Sequence, residues 1–436
     1  MENRKNSLKL FREHSAYVTD SVNNGIEQNR KGYLRIKVLD ENQNPIKGAR
    51  VTAVLKNHEF KFGADLKNPD DQKGDYGESF KKLFNLANIQ PDWADDSEEC
   101  GSVTDLCMDY CEENGIEPRL MPLASEGMFP KRLYGKSCDE VKAELSRSTE
   151  KTAEKYSSKV RTVEAIRGMF GYDKNVSFYN DNDYVAWCLN EAAKYMSCSQ
   201  IVINELPHVW YDGLGVNRDR YYMELERLLS ENVKIDAIGM EFGMSMSARE
   251  QFLDSMRVHM YVGWWPKELE EYRKAYDPVH LYKIMDKYSD FNRPLHITGV
   301  MIPAYTNAAE DEEIQAELLK YLYSIWFSHR KVEQIIYRSF ADGHEDSGLF
   351  GGLLRSDLSK KPAFDVLDAL INKEWRTEEA FVTDGDGIGV FKGFYGDYEL
   401  RIEAGGKIFT KTLEHSKKRE ISLCPVWGKA YMEIVI

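Results

Sequence analysis

The chain has 436 residues, of which 42% are hydrophobic and 30% charged, with a formal net charge of −14. That length and apolar content support a large core with a smaller second unit rather than one minimal domain. The negative charge repels phosphate backbones and anionic lipid head groups, which argues against nucleic acid and membrane surfaces as partners.

Residues 1–32 read as a helical or irregular segment. Their opening, "MENRKNSLKLFREHSAYVTD", lacks the apolar core of a signal peptide, and no later stretch reaches the run of about 18 apolar residues that a membrane span needs. The expectation is a cytoplasmic chain, although a trimmed form of an exported protein would read the same. Residues 33–59 alternate in the manner of strands around a turn at "DENQNP" and predict a β-hairpin of an accessory β-sandwich.

From 60 to 375, short apolar runs alternate with amphipathic segments. The runs include "PRLMPLA", "KVRTVEAI", "SQIVINE", "IDAIGMEFG", "PLHITGVMI" and "EQIIYRSF"; segments such as "DYVAWCLNEAAKYM" and "YYMELERLLSENV" lie between them with helical spacing. Repeated β-then-α units predict an α/β protein built on a (β/α)8 TIM barrel. Residues 376–436 carry Asp-Gly and Gly-Gly turns between runs rich in Val, Ile, Phe and Tyr, and predict a C-terminal β-sandwich that the strands at 33–55 complete.

Seven cysteines, at 100, 107, 111, 138, 188, 198 and 424, form an odd set in a chain too large to depend on disulfides, which suits a reducing compartment. Cys107 and Cys111 stand four apart in a helical stretch, but no further soft ligands lie close by, and the reading is buried apolar thiols with no metal. "TDGDGIG", with Asp384 and Asp386, reads as a hairpin turn rather than a calcium loop because no bidentate glutamate follows. No Walker loop, Rossmann glycine pattern or serine-hydrolase elbow occurs, and no cofactor is implied.

Taken in order, "FKFGADL", "FNLANIQPDW", "CEENGIEPRLMPLAS", "YSSKVRTVEAIRGMF", "SQIVINE", "IDAIGMEFG", "PLHITGVMI" and "GLLRSDLSKKPAF" resemble the landmarks of glycoside hydrolase family 10, the β-1,4-xylanase barrels. The resemblance runs from about residue 60 to 372. It implies an oligo- or polysaccharide as ligand. It also implies a retaining site, with an acid/base Glu ending strand four and a nucleophile Glu ending strand seven, about 5 Å apart. The fourth-strand pattern falls on "VEAIRG" and the seventh on "ITGVM", which places Arg167 and Gly168 at the Asn-Glu pair and Gly299 at the nucleophile. A slip of four residues would instead bring Glu164 toward the mouth. Met121 and Glu126 stand where the family has histidines, Glu241 replaces a glutamine, Gly243 a histidine, and Arg338 falls at the strand-eight tryptophan.

Two readings follow from this pattern. One is a glycoside hydrolase with a relocated apparatus. In it Glu241 serves as acid or base unless it merely pairs with Arg167 or Arg338, and Glu126 or Glu205 is its partner. The sugar-binding set then comprises Asp92, Trp93, Arg167, Asn204, Trp210, Arg338, Asp342 and His344, with Glu345, Trp264 and Trp265 nearby. The arginines suggest an acidic sugar, because a guanidinium binds a carboxylate in bidentate fashion. The other reading is a barrel that binds glycan through stacked aromatics without cleaving it. The oligomeric state is open.

Overall fold

The computed structural model describes residues 2–66, 74–92, 102–125, 127–169, 175–210, 219–244, 276–343, 350–417 and 431–436. Its chain forms two compact units. One comprises Met1–Thr19, Phe62–Phe327 and Lys331–Val366, and the other Asp20–Lys61, Ser328–Arg330 and Leu367–Ile436.

Strands β1 (Lys31–Leu39) and β2 (Arg50–His58) precede the barrel. The barrel then takes β3 (Lys61–Leu66), β4 (Leu86–Ile89), β5 (Glu117–Leu120) with a two-residue continuation β6 (Ala124–Ser125), and β7 (Thr162–Arg167). It is completed by β8 (Gln200–Glu205), β9 (Ala237–Gly243), β10 (Leu295–Met301) and β11 (Val332–Tyr337). The strand order β5-β4-β3-β11-β10-β9-β8-β7 closes on itself through a β5–β7 pairing, which gives a closed barrel of eight parallel strands. Helices such as Cys138–Tyr156, Tyr184–Tyr195, Arg220–Ser230 and Ala309–Ser328 fall between the strands, as right-handed β-α-β units require. The expected α/β barrel is therefore the observed fold.

Local chemistry explains several of these elements. The helix Cys138–Tyr156 starts with a capping box, in which the side chains of Ser137 and Glu140 each accept from the other's backbone amide. Aromatic rings on the helix Gly74–Leu83 and just beyond it lock the first barrel helix against the end of the last strand. Phe340 lies 5.0 Å from Tyr76, 5.6 Å from Phe80 and 5.3 Å from Phe84. Edge-to-face rings at these separations add to plain area burial.

Two strands carry irregularities that matter for the site. Between Glu164 and Ile166 the register of β7 slips against β8, and the register of β10 slips against β11 beyond Ile297 and against β9 beyond Thr298. In the second bulge Gly299 takes a left-handed φ of 53°, a conformation that glycine adopts without steric cost.

The smaller unit holds strands β12 (Glu378–Val382), β13 (Ile388–Phe394), β14 (Gly396–Ala404), β15 (Lys407–His415) and β16 (Met432–Val435). They assemble with β1 and β2 into a three-stranded sheet, β13-β1-β16, and a four-stranded sheet, β12-β2-β14-β15. Leu34 and Ile36 of β1 alternate with the exposed Tyr33 and Arg35, and Phe391 meets Tyr398 of the other sheet at 5.3 Å, so the two apolar faces share one core. Asp384 accepts from the amides of Asp386 and Ile388, which closes the hairpin turn that the sequence predicts there.

Cys107 and Cys111 are buried thiols; Cys107 Sγ donates to the Leu66 carbonyl at 3.6 Å, and burial pushes the Cys111 thiol up to about 12. Among the described residues, no group of three or more His, Cys, Asp or Glu side chains is placed to hold a metal, and no helix is long and apolar enough to cross a membrane.

Candidate functional site at the barrel mouth

Alternation along parallel strands sends every second side chain into the barrel. Here that layer is polar. Asn88 donates from Nδ2 to Asp65 at 2.6 Å and accepts from Arg119 Nη1 at 2.6 Å. Arg119 Nη2 donates to Glu164 at 2.6 Å, Asn204 Nδ2 donates to Glu164 at 2.9 Å, and Thr298 Oγ1 donates to Asn204 Oδ1 at 3.0 Å. The chain of bonds thus passes through β3, β4, β5, β7, β8 and β10, and each member is buried. Gly239 makes room for it, since a Cβ there would lie 2.5 Å from Asn204 Oδ1. His296 is buried on the same strand as Thr298, and burial together with Arg119 holds its pKa well below the ordinary value, so its ring is neutral.

One layer nearer the C-terminal ends of the strands lies Glu241 of β9. Arg338 Nη1 donates to its Oε1 at 2.8 Å, and Arg167 Nη1 stands 3.6 Å from its Oε2. Burial pushes the Glu241 carboxyl above the usual range, while Arg167 and Arg338 draw it back toward the charged form. The side chain runs directly over Gly299: a Cβ at that position would sit 2.6 Å from Glu241 Cγ and 2.8 Å from Cδ. Glycine at 299 therefore supplies both the left-handed bulge and the space that Glu241 fills.

Gly168 plays a related part at the end of β7. Its φ of 69° turns the chain so that the next amide, Met169 N–H, donates to Glu205 Oε2 at 3.0 Å, and Leu206 N–H donates to Oε1 at 2.8 Å. Glu205 is fully buried, and burial pushes its pKa up to about 7, against those two amides and with a further push from Glu241.

The structure brings Glu241, Arg167 and Arg338 together, with Glu164 at 3.7 Å from Arg167 Nε. Other expected site residues are placed differently. Trp210 is fully buried and donates from Nε1 to the Glu241 carbonyl at 2.9 Å, with Phe242 edge-on at 5.4 Å, so it presents no open face for a sugar. Asn204 is committed to the interior chain of bonds. Asp92 accepts from the amide and hydroxyl of Thr104 at 3.2 and 2.8 Å and so tethers the start of a helix. Asp342 pairs with the buried Lys361 at 2.6 Å and accepts from Gly352 N–H at 2.8 Å. Trp93, Glu126, Trp264, Trp265, His344 and Glu345 lie outside the described residues. Sequence reading misses Asp65, Asn88, Arg119 and Thr298 as members of one network; the signal that could have found them is a charged or polar side chain inside each short apolar run, most plainly Arg119 in "PRLMPLA".

The closed parallel barrel with helices outside defines the class, a (β/α)8-barrel protein. No protein-family model matches the chain. It is 25% identical over 396 residues to the anti-sigma-I factor RsgI6 of Acetivibrio thermocellus, covering 89% of this chain and 47% of that protein. The chain thus spans about half the length of the curated relative it matches. Among solved structures it is similar to xylanase XynB from Paenibacillus barcinonensis, with a TM-score of 0.55 at 14% identity over 71% of this chain and 95% of that one. It is also similar to xylanase B from Clostridium stercorarium F9, with a TM-score of 0.54 at 15% identity over 71% and 96%. A third is the intracellular xylanase TsXylA from Thermoanaerobacterium saccharolyticum, with a TM-score of 0.56 at 14% identity over 72% and 96%. At these identities the likeness establishes the fold.

Proposed function

We propose that the chain is a carbohydrate-directed barrel that binds a polysaccharide or oligosaccharide at its mouth without cleaving it. The observation that carries this reading is the state of Glu241. Glycosidic cleavage needs one carboxyl to protonate the leaving oxygen and a second to attack the sugar or activate water, the two standing roughly 5 to 10 Å apart. Glu241 is buried, ion-paired to Arg338 and Arg167, and packed over Gly299. Positions 168 and 299, where the resemblance puts the two catalytic glutamates, hold glycines in left-handed conformations. A barrel of this fold with Glu241 committed in this way retains an arginine-bearing mouth suited to hydroxyl recognition. The relative's name is that of a regulatory factor, which also favours recognition over turnover.

A specific observation favours hydrolysis as a second reading. Burial pushes Glu205 up to about 7, with a further push from the Glu241 charge, and that is the range a general acid needs at neutral pH. A panel of plant and gut polysaccharides and aryl glycosides separates the two. The binding reading expects saturable association with at least one polymer and no release of reducing ends or aryl alcohol. Release that disappears in both Glu205→Gln and Glu241→Gln would establish the hydrolase instead. A panel that neither binds nor reacts would remove both readings.

A further inference from the structure

Glu241 fills, with its own side chain, a place suited to a carboxylate. Two guanidinium groups from different strand ends converge on it, Arg338 at 2.8 Å from one oxygen and Arg167 at 3.6 Å from the other. No hydrogen bond reaches the buried Oε2 among the described residues. The volume taken by its Cγ and Cδ exists only because residue 299 has no Cβ. The Arg338 side chain is 39% exposed while that of Glu241 is 5% exposed, so the pair can be approached from solvent on the Arg338 side.

We propose that Arg167 and Arg338 form a carboxylate-binding subsite at the barrel mouth that Glu241 occupies from within, which makes Glu241 the residue that excludes acidic sugars. The proposal rests on the carbohydrate reading above and refines it. A uronic acid entering the wild-type mouth meets guanidinium groups already facing Glu241, and meets the Glu241 charge itself. Like charges this close disfavour one another strongly where water is scarce. Glu164, 3.7 Å from Arg167 Nε, adds to the same exclusion. The wild-type protein is thus selective for neutral sugars, and truncating Glu241 leaves two arginines beside a space that a free carboxylate fits. Bidentate or paired guanidinium contacts are the strongest way a side chain holds such a group.

The test uses the full chain and thermal unfolding midpoints near neutral pH, with acetate, glucuronate and glucose as probes and chloride to match ionic strength. Wild type should respond to neither acetate nor glucuronate. Glu241→Ala should melt lower than wild type in chloride and recover by about 3 °C or more in saturating acetate or glucuronate, but not in glucose. Glu241→Gln, which keeps the volume occupied without the charge, should show no recovery, and Glu241→Ala combined with Arg338→Gln should lose most of it. If Glu241→Ala does not fold in chloride, refolding yield with and without acetate is the readout, and no gain from acetate overturns the proposal. A wild-type response to glucuronate as large as that of the alanine variant overturns it as well. Failure of wild type to bind any polysaccharide would remove the carbohydrate reading and leave an acetate response standing; absence of that response would remove the subsite alone.

Discussion

At the scale of single residues, the most informative position is Gly299. Its left-handed φ, and the 2.6 Å that would separate Glu241 Cγ from any Cβ added there, place two separate demands on it. Gly299→Ala is expected to destabilise the protein by about 2 to 3 kcal/mol, part backbone strain and part collision. In a Glu241→Ala background the collision is gone, and the same substitution should cost only about 1 kcal/mol. Urea unfolding midpoints of the four proteins in this cycle give the coupling directly. Additive costs would mean that the two side-chain sites do not share space.

Glu205 supplies a pH dependence with a definite sign. Its folded-state pKa, about 7, lies above that of an exposed glutamate. The native protein therefore binds the proton more tightly than the unfolded chain. The stability this contributes is fully present below the unfolded pKa near 4.5 and is lost as pH rises through about 7, up to about 3 kcal/mol for so buried a group. Glu205→Gln should flatten the stability profile between about pH 5 and pH 8. It should also lower stability at the acidic end, because an amide cannot accept from both Met169 and Leu206 as the carboxyl does. A wild-type profile with no fall across that interval would contradict the assignment.

At the scale of elements, the barrel interior depends on charges that strands of the same sheet bring together. Arg119 of β5 and Glu164 of β7 are both buried and joined at 2.6 Å, and Arg119 also donates to Asn88. Removing one partner leaves the other buried without compensation. Arg119→Met is accordingly expected to cost about 3 to 5 kcal/mol, and adding Glu164→Gln should recover about 1 kcal/mol or more of that loss. Guanidinium chloride titrations of the single and double variants decide this, and a double variant weaker than the sum of its parts would show that the pair is not the unit. The bulges belong to this scale too. Because β7 slips by one residue after Glu164, Glu164 and Arg167 come to lie 3.7 Å apart, which strict alternation along a strand would not allow.

The strands themselves are legible in the sequence. "VRTVEAI", "IVINE" and "LHITGVM" are short, β-rich and separated by helical spacing, and each is a barrel strand. The candidate site is legible in part. Arg167, Arg338 and Glu241 are each marked by position in the pattern, and they do converge. Trp210 is not legible, because a tryptophan beside a strand end reads equally as a sugar platform or as packing, and its burial against Phe242 is a tertiary fact. Nor are Asp65, Asn88 and Thr298, whose polarity inside apolar runs marks an inward position without naming its partner.

At the scale of the whole molecule, periodicity by itself pointed to a large parallel α/β sheet with β structure from both ends of the chain, and the family resemblance pointed to its closure into a barrel. The reason is that burying one face of every strand and helix in alternating β-α units leaves few other arrangements at this length. The net charge of −14 also belongs to the sequence alone, and it disfavours polyanionic partners over the surface as a whole. What only the tertiary structure decided is how the mouth's charges are paired. Arg338 and Glu241 meet across 97 residues of chain, and Thr298 and Asn204 across 94. No local spacing encodes those meetings, because they are set by barrel closure, by register, and by one left-handed glycine that makes room for a neighbour's carboxylate.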